Sequence, residues 1–97
     1  MNVRVPQIVN IGDALRLYYM KRELRNADMK TLFGESIGSA RIVKLKELAR
    51  CVMREREVPT LDDMAVNTNC AYEAWGIDIA ELEKNYGRMK RLGLLED

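Results

Sequence analysis

The stretch Leu24-Arg25-Asn26-Ala27-Asp28-Met29-Lys30-Thr31-Leu32-Phe33-Gly34-Glu35-Ser36-Ile37-Gly38-Ser39-Ala40-Arg41-Ile42-Val43-Lys44-Leu45 reads as a short helix, a glycine-containing turn and the opening of a longer helix. Asn26 is a good N-cap, because its side-chain oxygen accepts from amides that a first turn leaves unpaired. Leu24 ahead of the cap, then Met29, Leu32 and Phe33, supply the core-facing set. Gly34 stands where a left-handed residue commonly closes a helix. The next helix begins at Ser36 or Ser39 and runs to about Arg56. A two-turn helix, a glycine turn and a second helix with an apolar inner side meet the requirement of a helix-turn-helix over 24–56. There the first helix holds the second at a fixed angle for entry into the major groove.

Ile42, Leu45, Leu48, Ala49 and Val52 recur at spacings of three and four and define the inner face of that second helix. Ser39, Lys46, Arg50 and Arg54 gather on the opposite side. The chemistry of the outward residues divides the work of reading duplex DNA. Ser36 and Ser39 can donate to phosphates or base edges near the helix start. Arg41 and Lys44 reach guanine acceptors or the backbone, and Ala40 or Val43 suits a thymine methyl. Lys46, Arg50 and Arg54 are placed for phosphate neutralisation, and Arg22 and Arg25 for clamping the flanking backbone. One conflict is internal to the motif. The commonest register puts inward residues six and nine positions after the turn glycine, at Ala40 and Val43, whereas the strongest apolar face selects Ile42 and Leu45. Either the turn is about two residues longer, or Val43 is buried and the helix is rotated.

Outward from this segment, residues 1–10 read as an irregular arm with Pro6 and Asn10, and 11–97 as one helical domain. A helix over Ile11–Glu23 carries the stripe Ile11, Ala14, Leu15 and Tyr18. Val58-Pro59 is a break, since the residue before proline avoids helical geometry. The C-terminal segment, 60–95, opens with Thr60-Leu61-Asp62-Asp63, a cap and first-turn acids for a brief helix through Ala65 or Val66. Asn67-Thr68-Asn69 then forms a polar turn, and a short helix holds Cys70, Ala71, Ala74 and Trp75 up to Gly76. The two short helices form a second, weaker helix-turn-helix outline in an acidic setting. Trp75 is read as a core plug. The last helix, capped by Asp78, repeats Ile79, Leu82, Tyr86, Met89 and Leu92, and ends at Gly93 with Arg88, Lys90 and Arg91 suited to its dipole. Gly87 inside it points to close approach of another helix or to fraying. No strand alternation and no repeat is present. The predicted fold is all-α, with about five helices, an N-terminal helix-turn-helix and a C-terminal amphipathic helix.

The formal charge of +1 conceals a division. From Met1 to Arg56 there are 12 Lys or Arg and 6 Asp or Glu, a balance of +6; from Glu57 to Asp97 there are 4 and 9, a balance of −5. Segregation of this kind suggests a basic surface for a polyanion and a separate acidic segment. Histidine is absent, which removes the commonest general base and metal ligand. Cys51 and Cys70 lack partners at zinc spacing and sit in apolar helical patterns, so both are expected as buried, reduced thiols. Gly34-Glu35-Ser36-Ile37-Gly38 lacks the Lys and Ser or Thr of a phosphate loop. Asp62 and Asp63 diverge by about 100° on a helix and suit capping better than catalysis. The composition argues against an enzyme, a cofactor, a metal and a small-molecule substrate. Residues Met1–Val9 hold no signal-like apolar core, and no run approaches a membrane span, so a soluble cytoplasmic protein is expected.

Leu32-Phe33-Gly34 with Ser39-Ala40-Arg41-Ile42-Val43-Lys44-Leu45-Lys46 resembles small helix-turn-helix proteins of phages and integrated elements of Gram-positive bacteria. Val66-Asn67-Thr68, Ala71-Tyr72, Trp75-Gly76-Ile77-Asp78 and Leu82-Glu83-Lys84 resemble the C-terminal part of the same group. The resemblance covers 24–94 and implies a DNA-binding or regulatory role without naming a target; the residues of the helix-turn-helix point to double-stranded DNA as the partner.

Two further uses of the chain are open at this level. The helix over 79–92 either closes the monomer's own core or packs against a second copy as a homodimer seam, which would suit paired half-sites. The acidic C-terminal half, with Asp62, Asp63 and Glu73, alternatively serves a protein-interaction module, an adaptor or inhibitor of a host factor.

Overall fold

A computed structural model describes residues 5–59 and 64–93 of the chain. The elements are α1 (Ile11–Met20), β1 (Glu23–Leu24), α2 (Asn26–Phe33), α3 (Ser39–Glu55), β2 (Val66–Asn67), α4 (Thr68–Ala74) and α5 (Ile79–Arg91). The fold is mostly helical, as predicted, with one apolar core filled from α1 to α4. Leu24, Met29, Leu32, Leu45, Ala49, Val66 and Ala71 are fully enclosed there. The long α3 and the short α4 pack most extensively on each other. The arm lies along this core through Val5 and Ile8, and the Val9 amide donates to the Leu32 carbonyl at 3.1 Å.

Several boundaries differ from the sequence reading. The first helix stops at Met20 rather than Glu23, because Lys21 turns extended (φ −121°, ψ 132°). The chain then pairs antiparallel with β2, Glu23 opposite Asn67 and Leu24 opposite Val66. No strand was expected; this ladder is too short to produce a visible alternation, and its partners lie in different halves of the sequence. The Thr68 amide extends the pairing by donating to the Arg22 carbonyl at 2.9 Å. Val66-Asn67 is therefore strand, α4 already begins at Thr68, and the second helix-turn-helix outline does not form over Val66–Asn69. Of its expected first helix, from Thr60 through Ala65 or Val66, residues 60–63 fall outside the described residues, and Met64, Ala65 and Val66 are not helical.

Capping explains the helix starts. Asn10 accepts from the Asp13 amide at 3.0 Å, Asn67 from Cys70 at 3.0 Å and Asp78 from Glu81 at 3.2 Å. The N-cap of α2 is Arg25, one residue before the expected Asn26, and Asp28 Oδ2 reaches back to accept from its amide at 2.9 Å. Gly34 closes α2 at φ 106°, a conformation that side chains rarely tolerate. At Gly87 no atom from another element of the described residues lies within 4 Å of where a Cβ would be, so none of the described helices approaches there.

Candidate nucleic-acid interface

Residues Gly34 to Gly38 join α2 to α3, with the Ile37 amide returning to the Gly34 carbonyl at 3.2 Å. The register conflict resolves through this longer turn. Ile42 and Leu45 are buried, while Ala40 and Val43 are exposed. Ser36 consequently lies in the turn and not in the helix, which opens at Ser39 behind an extended Gly38 (φ −75°, ψ 150°). Gly38 supplies no capping side chain, and no acid sits in the first turn. The positive end of the α3 dipole is thus left without a counter-charge from its own cap.

The core side of α3 is Ile42, Leu45, Lys46, Ala49 and Met53. Leu48 and Val52, expected inside, are only half-buried, so the helix is turned towards Met53. Lys46 is the clearest correction. Assigned to phosphate neutralisation, it is only 5% exposed, and its Nζ donates to the Met64 carbonyl at 2.7 Å. Its aliphatic stem covers core while its head ties α3 to the segment before β2. Cys51, expected to be buried, lies on the exposed side, where Arg54 Nη2 donates to its Sγ at 3.2 Å. Cys70 is buried as expected, and burial, opposed by Arg56, raises its thiol above the usual range.

The outward surface of the first two turns of α3 holds Ser39, Ala40, Arg41, Val43 and Lys44, with Glu47 one turn on. Val43 is 53% exposed. Arg41 and Lys44 on either side of it, and Arg22 and Lys30 elsewhere, form no ion pair among the described residues. Arg50 is half-buried, Arg54 is exposed, and Arg25 is exposed at the head of α2. Arg22 borders a polar depression of about 360 Å³ together with Tyr19, Asn67 and Asn69. Lys30, on the outer side of α2, was not selected from sequence. Its signal was its place between Met29 and Leu32, where the buried face leaves it pointing to solvent.

This outward surface of α3 is braced from behind. Trp75, 5% exposed, donates from its indole N–H to the Leu45 carbonyl at 2.8 Å and meets Phe33 edge-on at 5.4 Å. One side chain therefore touches both α2 and α3. Tyr72 does the same for α1, its hydroxyl donating to the Ala14 carbonyl at 2.7 Å. Burial, then the Asp28 carboxylate and Tyr18, raise the Tyr72 phenol well above the ordinary tyrosine range. Met53 Sδ accepts from the Asn67 amide at 3.4 Å, and Lys21 Nζ donates to Asp28 Oδ1 at 2.7 Å.

The two charge halves are not isolated, since Arg56 forms an ion pair with Glu73 across them. Asp62 and Asp63 lie outside the described residues. Among the described residues no helix is long and apolar enough to cross a membrane, and no group of three or more His, Cys, Asp or Glu is placed to hold a metal. No family model, no curated protein and no solved structure matches this chain.

Proposed function

We propose that the protein binds double-stranded DNA with the N-terminal half of α3 in the major groove. The carrying observation is Val43, a branched apolar side chain left exposed between Arg41 and Lys44, cations that form no ion pair among the described residues, on a helix fixed from behind. An apolar side chain between exposed cations is poorly matched to water. It suits a surface that offers dense negative charge and one apolar group, the thymine methyl. Lys44 and Arg41 reach guanine acceptors or phosphates, Ser39 donates near the uncapped helix start, and Ala40 sits one turn before Val43–Lys44. Arg22, Arg25 and Lys30 contact flanking phosphates, while Ser36, Arg50 and Arg54 border the contact. Lys46 serves the scaffold. The role is regulatory, of the kind exercised by the small phage and mobile-element proteins that the sequence resembles.

The test is retention on random duplex DNA at low salt, eluted by a salt gradient. Wild type should be retained, Lys44→Ala and Arg41→Ala should elute earlier, and Glu73→Lys should not. Absence of salt-dependent retention by wild type overturns the proposal.

A further inference from the structure

Helix α5 is strongly amphipathic, yet none of its residues is buried. It runs antiparallel to α1: the Tyr86 ring lies 3.5 Å from where a Cβ on Gly12 would stand, and the Tyr19 hydroxyl donates to the Glu83 carboxylate. Gly12 is the second residue of α1, so the part of α5 beyond Tyr86 runs past the start of its neighbour. At about 100° per residue, Leu82, Asn85, Met89 and Leu92 form a stripe beside the surface given to α1. Leu92 is 66% exposed, and Leu82 with Asn85 opens into a groove of about 300 Å³ bounded by Val5, Pro6 and Ile8. One end of the stripe is a recess and the other a projection.

The charges beside the stripe indicate what covers it. Glu81 and Arg88 fall on the same border, both exposed, with acids confined to the first half of the helix and Arg88, Lys90 and Arg91 to the last turns. The helix dipole accounts for acids at the start and bases at the end, but not for their sharing one border of the apolar stripe. A two-fold axis through Asn85 brings Glu81 to within one residue of the level of Arg88 of a second copy, and Arg88 to within one residue of Glu81. It sets Leu82 against Met89, so that Met89 enters the groove of the other protomer. A parallel pairing instead puts acid beside acid and base beside base.

We propose that α5 is the seam of a two-fold homodimer in which two copies of this helix pair antiparallel. The inference goes beyond DNA binding and is tested without DNA. Sedimentation equilibrium at rising concentration should show a monomer–dimer equilibrium. Glu81→Lys alone and Arg88→Glu alone should each weaken it about tenfold, and the double variant should restore it, because the swapped charges again face opposites. Neither residue holds α5 on α1, and far-UV circular dichroism verifies that each variant keeps its helix. A wild type that stays monomeric to about millimolar concentration overturns the proposal. So does a dimer indifferent to both single changes, or a double variant that fails to recover. Single changes that strengthen association overturn it as well.

Discussion

Trp75 and Leu45 are joined by a hydrogen bond from the indole N–H to a carbonyl in the middle of α3, 2.8 Å long and buried. A mid-helix carbonyl already accepts from the amide four residues on, so Trp75 uses its second lone pair without costing α3 a bond. The bond fixes the rotation of α3 about its own axis relative to α4. Trp75→Phe keeps an aromatic near Phe33 but deletes the donor and some volume. It is expected to lower unfolding free energy by about 1–3 kcal/mol, measured by urea denaturation followed by circular dichroism. An unchanged midpoint would mean that the bond does not brace the helix.

Lys44 and Lys46 are two residues apart and should behave as opposites. Lys44→Ala should reduce the slope of log affinity against log salt by about 0.9, the loss of one phosphate contact, with little effect on stability. Lys46→Met should leave that slope alone and cost about 1 kcal/mol through the lost bond to the Met64 carbonyl. Anisotropy titrations at several salt concentrations, alongside melting curves, separate the two.

This pair also marks how far the sequence could be read. Ile42 and Leu45 announced the inner face of α3, and the all-helical architecture followed from such spacings. Lys46 did not announce itself, because its burial depends on a carbonyl eighteen residues away that no local pattern encodes. The β1–β2 ladder was hidden for the same reason: each strand is two residues long, and only long-range pairing makes it a strand. The turn between α2 and α3 was half-legible. Gly34 signalled the stop, but the apolar face, not the glycine, located the next start. Cys51 shows the converse error, an apolar-looking residue that the rotation of α3 turns outward. On the outward surface of α3, Arg41, Lys44 and Val43 were identifiable one by one, while the absence of an ion pair to Arg41 and Lys44 among the described residues became visible only in three dimensions.

Tyr72 makes stability fall in alkali. Its phenol is held protonated in the fold above its ordinary range near 10, so above about pH 10 the unfolded chain releases a proton that the folded chain retains. Proton loss then favours unfolding, and stability should drop by up to about 1.4 kcal/mol per pH unit. Tyr72→Phe should be about 1 kcal/mol less stable at neutral pH, having lost the bond to the Ala14 carbonyl. It should also lose this contribution to the alkaline slope. Denaturant titrations at pH 8 to 11 on both proteins give the comparison.

The two cysteines should separate under a thiol reagent. Cys51 is exposed and should react promptly in the native protein. Cys70 is enclosed and its thiol is pushed up by burial, so it should react only on unfolding. Counting modified thiols by mass before and after denaturant settles the order; equal native rates would contradict the burial of Cys70.

The β1–β2 ladder sets a timetable for synthesis. The segment entering α2 is stitched to Val66-Asn67, and the brace on α3 comes from Trp75. A nascent chain emerging in order would carry every basic residue of α2 and α3 well before either tether exists. Only after Trp75 has left the ribosome can α2 and α3 take up their folded arrangement. The same closure makes the melting of one half the melting of the other, and a chain cut after Pro59 should yield an unanchored collection of helices instead of a smaller folded domain.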